Sequence, residues 1–246
     1  MHHISPTLSS WTEDFFDEIY FNISKHTFPS DTALNLLKEV RQQTSNPVET
    51  FFDQCSGWGE LSLQLAQQGL TGVAVEQSLP YVQQSKKALQ QAGLSSCVEF
   101  VCADAGSFVP FPQDLSISWH TSLGYNGKEG ALLLLRNLVS ATKKDGLTVV
   151  DMRDLSTYQK EETTTKRPFV FEGKESVLHR QGTWDGQVLF QKWFVTQGSE
   201  TIWEKPNTSC YHLSKKEMQV FAKEHHLDVN FVARPSSRLL VFLSKK

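Results

Sequence analysis

Residues 48–59 read Val-Glu-Thr-Phe-Phe-Asp-Gln-Cys-Ser-Gly-Trp-Gly, the most informative segment of the sequence. A short apolar run ends at the carboxylate of Asp53, and Gly57 and Gly59 then form a turn before a helical pattern begins at Leu61. Glycines in such a turn let the backbone pass close to a ligand at the N-terminus of the helix. The stretch therefore predicts a strand, a turn suited to ligand binding, and a helix.

The sequence that follows continues to alternate between strand and helix patterns. Further strands are predicted at 71–76, 98–104, 115–119 and 147–151, and helices at 31–40, 61–68, 81–92 and 132–142, the last closed by a turn at 144–146. This alternation is typical of βαβ units, with a parallel sheet and right-handed crossovers. A capped helix at 214–226 and a hairpin of 229–232 and 239–243 would complete a doubly wound domain whose last strand is antiparallel.

Two regions depart from this pattern. Aromatic residues at helical spacing, among them Phe16 and Tyr20, predict a helical N-terminal segment over 1–46 that could close the ligand site as a lid or simply cover one face of the sheet. Alternating apolar residues over 156–210 predict an antiparallel β insert, with a tight hairpin at Asp185-Gly186 that needs positive φ. The doubly wound domain then comprises 47–155 and 211–246.

Composition narrows the classes of function. The chain of 246 residues has 24 Lys and Arg against 27 Asp and Glu, a net charge of −3, so it lacks the basic excess typical of duplex binding and nucleic acid is an unlikely partner. No apolar run approaches the ~18 residues of a membrane span, and the first residues lack the apolar core of a secretion signal. The four cysteines form no C-x-x-C pair, and no histidine lies at zinc-ligand spacing. We expect a cytoplasmic protein without a metal site or a membrane partner, and the sequence leaves its oligomeric state open.

Carboxylates end the first three predicted strands. Ligands of open α/β sheets bind at the carboxyl ends of the strands, which is where Asp53, Glu76 and the pair Asp104-Ala105 lie. Glu76 could accept both hydroxyls of a ribose, or be an ordinary exposed glutamate. Asp104 could accept the exocyclic amine of adenine, or be the N-cap of a helix. Together with the glycine turn, these acids predict a nucleoside pocket.

This order of motifs resembles the class I S-adenosylmethionine-dependent methyltransferases. Residues 53–59 are similar to their Asp-x-Gly-x-Gly-x-Gly loop, Glu76 to their ribose acid, Asp104 to their adenine-side acid, and Lys-Asp-Gly at 144–146 to their Lys-Pro-Gly-Gly turn. Residues 119–125, Trp-His-Thr-Ser-Leu-Gly-Tyr, resemble the Phe-Thr-Ser-Phe-Gly-Tyr segment of a bacterial subgroup that acts on small molecules. That subgroup also has an aromatic N-terminal helix and a β-rich insert, so the resemblance covers nearly the whole chain.

The resemblance implies a fold, a cofactor and a set of contacts. The fold would be α/β, with a Rossmann-like, doubly wound, mostly parallel seven-stranded sheet whose last strand is antiparallel, and with the antiparallel β insert as a cap over the acceptor. The cofactor would be S-adenosylmethionine, and the methyl acceptor a small molecule with an N or O nucleophile. The expected cofactor contacts are Asp53, Cys55, Gly57, Gly59, Glu76, Gln77, Asp104, Ala105, Trp119 and Tyr20.

Residues near the fourth strand are candidates for the acceptor side. His120 would lie beside the transferred methyl group and could take a proton from the acceptor, or it could be a structural donor. The predicted acceptor contacts are Tyr125, Trp11 and Arg153, with His179 and Arg180 of the insert as further possibilities. A sheet with Trp184, Trp193 and Trp203 is, however, also typical of a core or a dimer surface.

Departures from the family pattern leave alternatives open. Cys55 replaces the first glycine of the loop, and a side chain there would cost about 1–2 kcal/mol if the position needs positive φ. Glu60 stands where the subgroup often has arginine. These departures suggest a non-catalytic S-adenosylmethionine or nucleoside-binding module. An NAD-dependent oxidoreductase is a further alternative, although Ser62 replaces the third glycine of its fingerprint, and an RNA methyltransferase would require basic residues around the pocket.

Overall fold

Seven strands form the larger of two sheets in the computed structural model, which describes residues 18–25, 28–120, 122–157, 163–205, 208–235 and 237–246. They are β1 (Thr50–Gln54), β2 (Thr71–Glu76), β3 (Val98–Cys102), β4 (Gln113–Ser118), β5 (Thr142–Arg153), β11 (Leu227–Arg234) and β12 (Arg238–Lys245). Their order is β11-β12-β5-β4-β1-β2-β3. Strands β1 to β5 are parallel, and β12 runs antiparallel to both β5 and β11. The predicted fold class is confirmed, including the antiparallel last strand.

Helices cover both faces of this sheet. They are α2 (Thr32–Gln43), α3 (Glu60–Gln67), α4 (Leu79–Gln91), α5 (Gly127–Ser140) and α6 (Lys215–Glu224), with single 3-10 turns at Ser122–Gly124 and Leu155–Thr157. A further helix, α1 (Glu18–Lys25), precedes these in the chain. Successive side chains of a strand point to opposite faces, and Phe51 and Phe52 of β1 illustrate this: both are fully buried, in separate apolar clusters on the two sides of the sheet. Strands of a sheet that is covered on both faces therefore have continuous apolar runs.

One predicted turn is wrong. Residues 144–146 do not close α5; they lie within β5, which begins at Thr142. The pairing with β4 shifts here from Gln113–Thr142 to Leu115–Leu147, so the extra residues form a bulge. A Cβ on Gly146 would lie 2.7 Å from the carbonyl oxygen of Asp114, so this glycine permits close approach of the two strands rather than a turn. Helix α5 also begins earlier than predicted, at Gly127.

The predicted β insert forms a second, antiparallel sheet. Its strands are β6 (Thr163–Phe171), β7 (Lys174–Trp184), β8 (Val188–Gln197), β9 (Glu200–Glu204) and β10 (Thr208–Tyr211), in the order β10-β8-β7-β6, with β9 also paired to β8. Gly186 has φ 109°, as the predicted hairpin requires, and the Asp185 carboxylate accepts hydrogen bonds from the backbone N–H groups of Gln187 and Val188. Ile23 of α1 packs against Trp193 and Trp203 of this sheet. Helix α1 therefore lies on the second sheet.

A hydrogen-bond network joins the second sheet to helix α6. Ser214 and Glu217 form both halves of a capping box at the start of α6, where the sequence predicts a capped helix. The same Glu217 accepts a hydrogen bond from the Tyr211 hydroxyl of β10 and pairs with Lys128 of α5. In the part of the chain that the structure describes, no helix is both long and apolar enough to cross a membrane.

Candidate active site

The loop after β1 adopts a left-handed backbone at three positions. Cys55, Gly57 and Gly59 have φ values of 58°, 57° and 77°. A Cβ on Gly59 would lie 2.6 Å from Ser85 Oγ and 2.7 Å from Phe100 Cζ, whereas a Cβ on Gly57 would meet nothing within 4 Å. Gly59 thus lets α3 pack closely against its neighbours, while Gly57 leaves open space beside the loop.

The backbone at Cys55 has the positive φ that makes a side chain costly there. Its φ is positive, so a side chain in this conformation costs about 1–2 kcal/mol relative to glycine. The side chain is half-buried and packs against the apolar cluster on one face of the sheet. Burial, with the negative charges of Glu76, Asp53 and Asp104, raises the pKa of the Cys55 thiol well above its usual range. The thiol therefore stays protonated.

The carboxylate of Glu76 is held against the loop by two backbone groups. One oxygen accepts from the N–H of Gly57 and the other from the N–H of Ser78, both at 2.9 Å. Burial raises the pKa of Glu76, and hydrogen bonds from the backbone of Ser78, Gly57 and Gln77 partly oppose that rise. An ionised carboxylate has about four acceptor positions, so the Glu76 carboxylate keeps acceptor capacity for a ligand hydroxyl.

Asp53 lies beneath the loop rather than on it. The side chain is buried, and its carboxylate accepts a 2.6 Å hydrogen bond from Ser62 Oγ in the first turn of α3. Burial raises the pKa of Asp53 to about 7; the bond from Ser62 opposes this rise and the charge of Glu76 adds to it. Asp53 is therefore in a position to tie the end of β1 to the start of α3.

Asp104 shapes the turn after β3. Its Oδ1 accepts the N–H of Gly106 at 2.8 Å, and Nδ2 of Asn137 on α5 donates to the carbonyls of Ala105 and Gly106. Gln77, next to Glu76, accepts a long hydrogen bond from the Cys102 thiol through its carbonyl. The acids that follow the three strands thus share one edge of the sheet, and their negative charge suits a cation better than a phosphate.

Buried polar atoms without a partner lie beside the glycine loop, and sequence reasoning missed them. They are Gln54 Oε1, Ser56 Oγ and Ser118 Oγ, which have no hydrogen-bond partner among the described residues. Gln54 and Ser118 are register partners at the carboxyl ends of β1 and β4. The strand-end rule that found Glu76 could also have found Ser118. Unpartnered buried hydroxyls are costly, and the amino and carboxylate groups of a bound methionine moiety could satisfy them.

A backbone hydrogen bond to Asp151 fixes the position of His120. It follows β4 with φ 57°, and its N–H donates to Asp151 Oδ2 at 3.0 Å. Asp151 also accepts from Arg238, an interaction that sequence reasoning missed. Burial lowers the pKa of His120 to about 4; Asp151 opposes this shift, and the charges of Arg238 and Arg180 add to it. The residue is exposed to solvent, so water moderates this shift, and the ring is neutral at pH 7.

Of the side chains predicted around the cofactor and the acceptor, Tyr20 of α1 and Arg180 of β7 both lie against the ring of Trp193 on β8. The rings of Tyr20 and Trp193 have centroids 5.6 Å apart, and the guanidinium of Arg180 lies 4.0 Å from the centroid of Trp193. Burial and Tyr20 raise the pKa of Tyr125, while Arg180 and Arg153 oppose that rise. The ring of Phe28 lies 5.1 Å from that of His120, and Trp119 is half-buried next to it. Trp11 lies outside the described residues.

Comparison with known proteins identifies structural relatives only. No family model and no curated protein sequence matches the chain. An S-adenosylmethionine-dependent methyltransferase from Clostridium acetobutylicum has a TM-score of 0.72 at 13% identity, over 94% of this chain and 98% of the other. An amino pentose methyltransferase from Micromonospora echinaspora, solved with S-adenosylmethionine bound, reaches 0.76 at 12% identity with the same coverage. A sugar N-methyltransferase from Streptoalloteichus reaches 0.77 at 12% identity, over 94% of each chain. These proteins share the fold of this chain over 94% of its length.

Proposed function

We propose that this chain is an S-adenosylmethionine-dependent methyltransferase that acts on a nitrogen or oxygen of a small molecule. The observation that carries the proposal is the Glu76 carboxylate, which Gly57 and Ser78 hold beside an open glycine loop. Its free acceptor positions suit the two hydroxyls of a ribose. The fold, shared with three solved methyltransferases, supports the same assignment.

The chain supplies binding and alignment. When bound, S-adenosylmethionine would supply an activated methyl group, whose bond to sulfur breaks as the bond to the acceptor forms while sulfur retains the electron pair. Glu76 would bind the ribose, and Asp104 and Ala105 would lie on the adenine side with Gln77. Cys55 and Gly59 would line the loop through their backbone, and Ser56 and Ser118 would bind the methionine moiety.

His120 would accept the proton from the acceptor. A neutral imidazole can accept the proton that an attacking hydroxyl group loses, or the proton lost by the ammonium that forms when a neutral amine is methylated. Asp151 and Arg238 act as positioning residues, because they fix the backbone of His120. A lowered pKa makes His120 a weak base, which suits an amine acceptor that mainly needs orientation.

The remaining regions would enclose the acceptor. Residues 156–210 would form a cap and residues 1–46 a lid. Tyr20 of the lid would then lie around the methyl group together with Trp119 and Tyr125, which follow β4. Excluding water there strengthens the electrostatic interactions of the site. The acids at the loop also disfavour the pyrophosphate of a dinucleotide, which argues against an oxidoreductase.

A second candidate function is binding of S-adenosylmethionine without catalysis. The strained, left-handed Cys55 favours it, because a side chain has replaced the glycine expected at this position. This candidate predicts the same cofactor affinity but no methyl transfer to any acceptor. A screen of small amines and alcohols with labelled S-adenosylmethionine separates the two functions.

Calorimetric titration with S-adenosylmethionine and S-adenosylhomocysteine tests the shared cofactor site. We expect one ligand per chain and a roughly 10- to 100-fold loss of affinity in Glu76→Gln, since a hydrogen bond to a charged group contributes about 1.5–3 kcal/mol. Glu60→Gln is the matched control, because Glu60 belongs to the first turn of α3 and its carboxylate accepts from Gln64. Absence of binding by the folded wild-type protein would refute both functions.

A further inference from the structure

We propose that four aromatic side chains close the cofactor site, and that the cofactor enters and its product leaves only when they separate. Phe21 of α1, Phe28, Trp58 of the glycine loop and Tyr81 of α4 form this aromatic clasp. The inference rests on the proposed methyltransferase function and adds a regulation of cofactor exchange at that site. None of the four side chains belongs to the expected set of cofactor contacts.

Trp58 is the centre of the clasp, because its ring contacts two others. It directly follows Gly57, whose N–H holds the Glu76 carboxylate. The ring centroids of Trp58 and Phe21 are 5.7 Å apart at an interplanar angle of 87°, and those of Trp58 and Phe28 are 6.1 Å apart at 80°. Edge-to-face pairs of this kind are favourable beyond the apolar area that they bury. Two rings of the N-terminal region therefore hold the loop that would line the cofactor.

Phe28 bridges two loops at the edge of the large sheet. Its ring contacts Trp58 after β1, and it also lies 5.1 Å from the ring of His120 after β4. These two strands are neighbours, and the strand order reverses between them. Ligands of open α/β sheets bind in the crevice at such a reversal. Phe28 therefore lies across the place where the methyl end of the cofactor would enter.

Phe21 extends the clasp to the ribose side of the site. Its ring also contacts that of Tyr81, with the centroids 6.2 Å apart. Tyr81 is buried in the first turn of α4, which begins shortly after Glu76. Ile23, on the same helix as Phe21, packs against the second sheet. Helix α1 thus lies between the glycine loop and the second sheet, and the clasp reaches from the ribose acid to His120.

The clasp can open without unfolding the rest of the chain. Phe21, Phe28 and Trp58 are each only half-buried, and segments with few buried apolar contacts open most readily. The chain is fixed directly after Phe28, because the Pro29 carbonyl accepts a 2.9 Å hydrogen bond from Nε2 of Gln64 on α3. Opening would therefore move α1 and Phe28 and leave α2 on the core.

Stopped-flow mixing with S-adenosylhomocysteine, followed by tryptophan fluorescence, tests the clasp. If opening limits entry, the observed binding rate of the wild type levels off as the ligand concentration rises. Phe28→Ala removes the contacts with Trp58 and His120, so we expect binding and release to become about 5- to 100-fold faster. Phe111→Ala is the matched control, because it removes a phenyl group that is 89% exposed and should keep the wild-type rates.

The outcomes separate the clasp from the cofactor site itself. Phe28→Leu keeps apolar bulk without a ring, should give intermediate rates, and replaces Phe28→Ala if that variant does not fold. A wild-type binding rate that rises linearly with ligand concentration, with equal rates in the Phe28 and Phe111 variants, would overturn the clasp while the cofactor site stands. Absence of binding by the wild type and by every variant would refute the proposed function, and the clasp with it.

Amide hydrogen exchange provides a second readout on α1. With S-adenosylhomocysteine bound, the amides of Glu18–Lys25 should exchange more slowly than in the free protein, because an occupied site keeps the clasp closed. Phe28→Ala should remove most of this ligand-dependent protection, and Phe111→Ala should retain it. A purely structural role of Phe28 predicts the same loss of protection with and without the ligand, a result that would contradict the clasp.

Discussion

The contrast between Gly57 and Gly59 gives the sharpest prediction for this fold. Both residues have left-handed backbone, so alanine at either position costs about 1–2 kcal/mol in strain, reduced by about 0.4–1 kcal/mol because alanine restricts the unfolded chain. Only at Gly59 would the new methyl group lie 2.6 Å from Ser85 Oγ and 2.7 Å from Phe100 Cζ. Overpacking of this kind adds about 1–3 kcal/mol.

Urea unfolding of Gly57→Ala and Gly59→Ala measures this difference. We expect Gly59→Ala to lose about 2–4 kcal/mol of unfolding free energy and Gly57→Ala about 0–1.5 kcal/mol. The two variants make the same chemical change two residues apart, so they differ mainly in the space around the methyl group. Equal losses, or a larger loss in Gly57→Ala, would refute the argument that Gly59 sets the packing distance of α3.

Three further predictions concern charged and titratable groups. Asp53→Asn should gain stability relative to wild type as pH rises from about 4 to 7. Over this range the unfolded wild-type chain releases the Asp53 proton, whereas the folded protein, in which burial raises the pKa of Asp53 to about 7, retains it. Urea unfolding at several pH values measures the gain. Asp151→Asn should lose about 3–5 kcal/mol of unfolding free energy, since it leaves Arg238 without its partner, whereas Asp154→Asn should lose about 0–1 kcal/mol because Lys215 is largely exposed. NMR titration should give His120 a pKa between about 4 and its ordinary 6.5.

Each of these expectations has a result that would contradict it. A stability difference between Asp53→Asn and wild type that does not change with pH would mean that Asp53 is not desolvated. Similar losses in the two aspartate variants would show that the Asp151 pair behaves as a surface pair. A His120 pKa above 6.5 would mean that Asp151 outweighs burial and the two arginines.

The sequence predicts most of the larger sheet because its signals are local. The strand at 71–76 matches β2 to the residue, and the capping box at Ser214 marks the start of α6. The sequence does not predict features that depend on tertiary contacts. Helix α5 begins in Gly-Lys-Glu-Gly, a poor helix-forming run, and the bulge at 144–146 exists because Gly146 packs against a carbonyl of β4.

The residues of the candidate site also differ in whether local sequence signals could identify them. Glu76 and Asp104 could be found because strand ends meet at one edge of the sheet. The unsatisfied hydroxyls of Ser56 and Ser118 escaped prediction, since being unsatisfied depends on every neighbour in space. The stacking of Arg180 on Trp193 also could not be read from spacing, because it follows from the register between β7 and β8.

The position of β12 has a consequence for synthesis of the chain. Residues 238–245 lie inside the sheet, between β5 and β11, and Arg238 supplies the partner of Asp151. While a ribosome is still translating the middle of the chain, β5 therefore has an open hydrogen-bonding edge, the kind of edge that promotes aggregation. The loop that holds His120 acquires its final support only after residue 238 has emerged. Nascent chains shorter than this should depend on chaperones more than the complete fold does.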